Sequence, residues 1–116
     1  MGLEINERPG KDKLDVVELS GSVDMGTVES LGDRLKAIFD NGSRKIVLDM
    51  KGLESFSSAG WGCLVEWKFK FSQDGGDMAL ACMHDAQLRV YELMGLDATF
   101  KQFPNVEQAV KSVGGK

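Results

Sequence analysis

The chain has 116 residues, and its 42% hydrophobic and 28% charged content excludes a disordered chain and favours one soluble globular domain spanning residues 1–116. The formal net charge of −4 argues against nucleic-acid binding, which needs a concentrated basic surface. No apolar run approaches the roughly 20 residues of a membrane span, so we expect no membrane insertion and a cytoplasmic location.

Hydrophobic periodicity predicts an alternation of strands and helices that Gly, Pro, Asn and Asp separate. In chain order these are a strand at residues 3–5, a strand at 14–20, a helix at 27–40, a strand at 45–49, a helix at 58–73, a strand at 78–83, a helix at 85–94, a short strand at 98–101 and a last helix after Asn105. We expect a turn at 7–12 and a loop at 50–57 between these elements.

This order predicts an α/β fold. The first two strands form an N-terminal hairpin, and the later strands alternate with helices. Such alternation implies parallel strands joined by right-handed crossovers. The expected fold is therefore a mixed β-sheet of about five strands, covered by about four helices.

One segment combines features that suit a functional site. It runs from Leu48 to Gly62, off the end of the predicted central strand and into a helix. Ligands of open α/β sheets gather at that edge. Ser57 and Ser58 fall at the first helical positions, where free N–H groups and the positive end of the helix dipole can accommodate a phosphate. Ser is also a favoured N-cap, so the pair could serve only to begin the helix.

The helix after Ser58 carries two apolar faces when residues are placed at about 100° steps. The face expected to pack on the sheet consists of Gly60, Cys63, Leu64, Trp67 and Phe71. Trp61, Val65 and Phe69 lie on a second face, which a helix on a sheet should present to water. This second face predicts a partner-binding surface, with a neighbouring helix or a second copy as the alternative cover.

Two motifs resemble those of STAS domains. Leu19-Ser-Gly-Ser-Val-Asp24 resembles the family's L-x-G-x-L/I-D motif, and Phe56-Ser-Ser-Ala-Gly-Trp-Gly62 resembles its second motif. The spacing of the motifs and the order of elements match over almost the whole chain. The best-studied single-domain members are the anti-sigma factor antagonists.

The resemblance implies a switch. In that branch an anti-sigma factor serine kinase binds the unphosphorylated antagonist, which regulates sigma-factor-dependent transcription. The kinase phosphorylates the Ser at the helix start, and a PP2C-type phosphatase reverses the modification. By motif position the acceptor is Ser58, with Ser57 as the alternative. The implied partner-binding residues are Asp24, Ser57, Ser58, Trp61, Gly62, Val65 and Phe69. The alternative function is a non-phosphorylated STAS subunit of a larger assembly, such as a lipid-transport or signalling complex.

The sequence offers little for an enzyme. His84 is the only histidine, and it stands beside Asp85 where a cap is expected. Phosphate-binding glycine motifs and zinc-site spacings are missing from the sequence. We therefore predict no catalytic residue, no metal and no cofactor. The two cysteines lie in apolar segments, which is typical of a reducing compartment.

Overall fold

A computed structural model describes residues 2–10 and 12–114. The helices and strands are, in chain order, β1 (Leu3–Pro9), β2 (Leu14–Val23), α1 (Val28–Asp40), β3 (Lys45–Phe56), α2 (Ser58–Gln73), β4 (Asp77–Ala81), α3 (Asp85–Leu93), β5 (Gln102–Phe103) and α4 (Val106–Gly114). A short 3-10 turn at Leu96–Ala98 lies between α3 and β5.

The strands form one mixed sheet in the order β1-β2-β3-β4-β5. β1 and β2 are antiparallel, and every later pair is parallel. Because the chain crosses the sheet in one direction, right-handed crossovers place α1, α2 and α3 on the same face. α4 follows the last strand and covers the other face. The predicted fold class, a mixed α/β sheet with an N-terminal hairpin and four helices, is confirmed.

Successive residues near the start of β3 pack into two hydrophobic cores, one on each face of the sheet. Ile46, Val47 and Leu48 are completely buried. Successive side chains of a strand point to opposite faces, so Val47 joins the smaller core under α4, while Ile46 and Leu48 join the larger core under α1, α2 and α3. A strand covered on both sides needs a continuous apolar run, which is why this segment was recognisable in the sequence.

The predicted loop at 50–57 is wrong, because β3 continues through Phe56. The extension pairs with β2, with Val23 opposite Phe56 in the register. Register shifts between β2 residues Gly21 and Ser22 accommodate it, and such bulges bend and twist a strand. β1 likewise runs on to Pro9, through part of the predicted turn. Proline is tolerated there because β1 is an edge strand.

The predicted short strand at 98–101 is also wrong. The chain instead makes the 3-10 turn, and β5 begins later and pairs with β4 through Gln102 and Phe103. Burial explains the difference. Leu96 and Phe100 both insert into the larger core, and the hydroxyl of Tyr91 donates to the Phe100 carbonyl at 2.5 Å. These contacts hold the segment against α3 rather than extended beside β4.

The prediction that Trp61 lies on an exposed face is wrong. Its side chain is 1% exposed. The ring packs edge-on against Phe56 with centroids 4.8 Å apart, and Tyr91 of α3 lies on its other side at 6.4 Å. Each i, i+4 step rotates by about 40° around a helix, so Trp61 faces α3 whereas Phe69 faces solvent and is 65% exposed.

Replacing Trp61 with Ala should lower the free energy of unfolding by about 3–5 kcal/mol, the usual cost of truncating a buried aromatic side chain. Phe69→Ala, on the same helix but exposed, should change it by no more than about 0.5 kcal/mol. Urea unfolding of both variants and the parent measures the difference. Equal losses in the two variants would contradict the assigned burial of Trp61.

Candidate partner-binding site

The two motifs meet where β2 and β3 end. The Ser57 N–H donates to the Val23 carbonyl at 2.9 Å. Asp24 follows Val23 directly, and Ser58 follows Ser57 as the first residue of α2. The parallel pairing of two strands therefore brings together residues that lie more than thirty positions apart in the sequence.

Asp24 organises the turn that leads into α1. Its Oδ1 accepts hydrogen bonds from the backbone N–H groups of Gly26 at 2.8 Å and Thr27 at 3.1 Å. The Thr27 hydroxyl donates to the Ser22 carbonyl at 2.9 Å and accepts from the Asp24 N–H at 3.0 Å. Hydrogen bonds within the turn therefore stabilise it. They hold the exposed carboxylate of Asp24 near the start of α1, where the helix dipole favours a negative charge.

Sequence reasoning missed Thr27. A hydroxyl three residues after an Asp, just ahead of a helix, is a signal of such a hydrogen-bonded turn. Met25 was missed as well, although it is an apolar residue inside a polar turn. Its side chain is among the most exposed large hydrophobic groups of the described residues. Both residues belong to the same turn as Asp24.

The two serines at the start of α2 differ in accessibility. Ser57 is the N-cap residue, with φ −83° and ψ 173°, yet its side chain makes no capping hydrogen bond. Its Oγ is buried and has no partner among the residues that the structure describes. Ser58 is exposed at the first helical position. The hydroxyl of Ser58 can therefore be reached from solvent, whereas that of Ser57 cannot.

An exposed stripe runs down α2 from Ser58. It consists of Ser58, Gly62, Val65 and Phe69, which recur at helical spacing and are all exposed, and we call it the α2 stripe. Apart from its two chain neighbours and the adjacent backbone of α2, a Cβ at Gly62 would meet no atom within 4 Å. The stripe therefore has a gap in its middle, where another molecule can approach the helix backbone closely. Trp61, predicted to share this surface, is buried and faces α3 instead.

Neither a reactive thiol nor a metal-binding cluster accompanies the α2 stripe among the described residues. Burial, reinforced by Glu66, raises the pKa of the Cys63 thiol to about 11, so the thiol stays protonated at neutral pH. Across residues 2–10 and 12–114, no cluster of three or more His, Cys, Asp or Glu side chains is arranged to hold a metal ion. No helix in those ranges has the length and apolar character needed to span a bilayer.

Solved structures share this architecture. An anti-sigma factor antagonist from Mycobacterium paratuberculosis superposes with a TM-score of 0.87 and 25% identity, over 97% of this chain and 95% of that one. The anti-sigma factor antagonist SpoIIAA in its unphosphorylated form gives 0.75 and 18%, over 97% and 100%. The Bacillus cell fate determinant SpoIIAA in the phosphorylated form gives 0.74 and 18%, over 95% and 99%.

The model of the STAS domain family matches residues 6–109. That range contains both motifs, the turn around Asp24 and the whole of α2. The chain belongs to the STAS domain family.

Proposed function

We propose that this chain is an anti-sigma factor antagonist. In its unphosphorylated form it binds an anti-sigma factor serine kinase through Asp24 and the α2 stripe, and phosphorylation of Ser58 switches it off. A PP2C-type phosphatase restores the binding form, and the cycle regulates sigma-factor-dependent transcription in the cytoplasm. The observation that carries the proposal is an exposed Ser58 at the N-terminus of a 16-residue helix, at the head of an exposed apolar stripe.

The exposed apolar groups supply the affinity. Val65 and Phe69 of the stripe, and Met25 of the neighbouring turn, are large side chains left in water. Burying one such side chain fully is worth about 1.5–3 kcal/mol. The gap at Gly62 lets the partner pack against the helix itself. Trp61 is buried between α2 and α3, and in our proposal it makes no contact with the partner.

A phosphate on Ser58 would act on binding rather than on the fold. The group carries nearly two negative charges, and the N-terminus of α2 tolerates them because its free N–H groups point outward. In the complex the same group must lose its hydration against the partner, close to the carboxylate of Asp24. Since about 1.4 kcal/mol changes an affinity tenfold, a modest repulsion is enough for a switch.

The burial of the Ser57 hydroxyl supports Ser58 as the acceptor. A kinase must place the attacking oxygen in line with the γ-phosphate of ATP. The Ser57 Oγ is buried, so its presentation in that way requires a change of rotamer or of the first turn of α2. Ser57 instead contributes to the partner surface through its position between Asp24 and Ser58.

Incubation with the cognate kinase and ATP should place one phosphate on Ser58, located by mass spectrometry of peptides. Ser58→Ala should abolish the modification, while Ser57→Ala, the matched control, should leave it in place. Phosphate on Ser57 would overturn the assignment of the acceptor. No phosphate at all, with an active kinase, would favour the alternative function of a non-phosphorylated STAS subunit in a larger assembly.

Ser58→Asp should weaken kinase binding by about tenfold or more, because it adds a negative charge at the docking surface. Ser58→Ala should bind like the parent. Isothermal titration calorimetry measures the affinities, and thermal melting should show that both variants stay folded. A Ser58→Asp variant that binds as tightly as the parent would contradict the charge switch.

Gly62→Gln should separate docking from folding. A Cβ at this position has open space beyond its own helix, and a better helix former should raise the free energy of unfolding by about 0.5–1 kcal/mol. Kinase binding should nevertheless fall about tenfold or more, because the side chain fills the gap in the stripe. The control is Ser112→Gln on α4, an exposed helical position on the other face of the sheet. Unchanged kinase binding by Gly62→Gln would remove the α2 stripe from the interface.

A further inference from the structure

Within residues 2–10 and 12–114, no strand covers one backbone edge of the second half of β3. β2 pairs with β3 as far as Phe56, whereas β4 pairs with it only along Lys45–Asp49 among the described residues. Residues 50–56 therefore have a strand on one side and α3 on the other. An unpaired strand edge offers N–H and C=O groups to any extended chain that approaches it.

Side chains of α3 and of its N-cap residue, His84, cover the first part of this edge. The Nε2–H of His84 donates to the Lys51 carbonyl at 2.8 Å. The side-chain amide of Gln87 donates to the Leu53 carbonyl at 3.4 Å, a long hydrogen bond. Beyond Leu53 the strand and the helix separate, and a groove of about 590 Å³ opens between them.

The strand itself forms one wall of the groove. Residues 53–56 line that side, with Trp61 between the two walls. The other side consists of His84, which precedes α3, and of Ala86, Gln87 and Val90 of α3. Val90 leaves 37% of its surface exposed. The Nε1 donor of Trp61 is buried and has no partner among the described residues. An unpaired buried donor is costly, and the residue that carries it lines the groove.

The charge of the groove is negative. Glu54 is the only acidic or permanently charged side chain among the residues that line it, and it is exposed. Lys51 contributes little here, because it lies with Glu18 and Asp49 in a separate depression of the surface. A cationic side chain on the occupant would complement Glu54, whereas an acidic occupant would be repelled.

We propose that this groove binds an extended, basic peptide segment of a partner protein, added as a strand along Leu53–Phe56. An apolar side chain of the peptide packs against Val90 and Trp61, and a lysine or arginine pairs with Glu54. The site uses neither Ser58 nor the α2 stripe, so it goes beyond the proposed function and does not depend on it.

The probe is the peptide Lys-Val-Lys-Val-Lys-Val with both ends blocked, titrated into the full ¹⁵N-labelled protein. We expect saturable shifts of the amide signals of Leu53–Phe56 and of the Trp61 indole N–H, with a dissociation constant below about 1 mM. The same peptide with its central valine replaced by proline should bind about tenfold more weakly, because proline cannot donate to the strand edge. The acidic analogue Glu-Val-Glu-Val-Glu-Val should also bind more weakly.

Two matched substitutions locate the site. Val90→Lys should weaken binding of the basic peptide about tenfold, because it places a positive charge in the wall of the groove. Leu93→Lys adds the same charge on the same helix, at a residue that is 79% exposed and outside the groove, and should leave binding unchanged. Glu54→Lys should abolish the preference for the basic over the acidic peptide.

Equal effects of Val90→Lys and Leu93→Lys would overturn the proposal, as would shifts confined to other residues or no binding at all. Tighter binding of a helical, alanine-rich basic peptide would identify a helix as the occupant and would also overturn it. Each variant keeps Ser58 and the α2 stripe intact. Kinase binding measured in parallel therefore distinguishes a failure here from a failure of the proposed function.

Discussion

The pairing between the ends of β2 and β3 positions every residue of the candidate site. The hydrogen bond from the Ser57 N–H to the Val23 carbonyl closes that pairing at 2.9 Å. It places the turn of Asp24 beside the first turn of α2, and parallel strands bring their carboxyl ends to one edge of the sheet. Without the extension of β3 to Phe56, the two motifs would have no common surface.

α2 is anchored to the sheet on one side and exposes apolar groups on another side. Leu64 and Phe71 anchor it to the sheet, and Trp61 fills the space toward α3. The outward side is then free to carry exposed apolar groups such as Phe69. Burial at Trp61 and exposure at Phe69 thus belong to one arrangement, in which a helix packed on the sheet presents the proposed partner surface and the hydroxyl of Ser58.

The sequence predicted the features that depend on local periodicity. The continuous apolar run around Val47 and the bounds of α2 follow from burial patterns that a single segment displays. The missed features depend on distant contacts. The segment with the polar residues Lys51 and Glu54 resembles a loop until β2 pairs with Gly52, Leu53 and Ser55. A helical-wheel projection of α2 does not reveal that Tyr91 of α3 packs against Trp61. The burial of the Ser57 hydroxyl likewise becomes visible only in three dimensions.

Amide hydrogen exchange, with and without the anti-sigma factor kinase, tests whether Ser58 controls a docking surface formed by the Asp24 turn and α2. We expect the unphosphorylated protein to gain protection at residues 24–27 and along the first three turns of α2, with no gain on α4. The phosphorylated protein should show no gain at either place. Protection centred on α4, or the same protection in both forms, would contradict a docking surface that Ser58 controls.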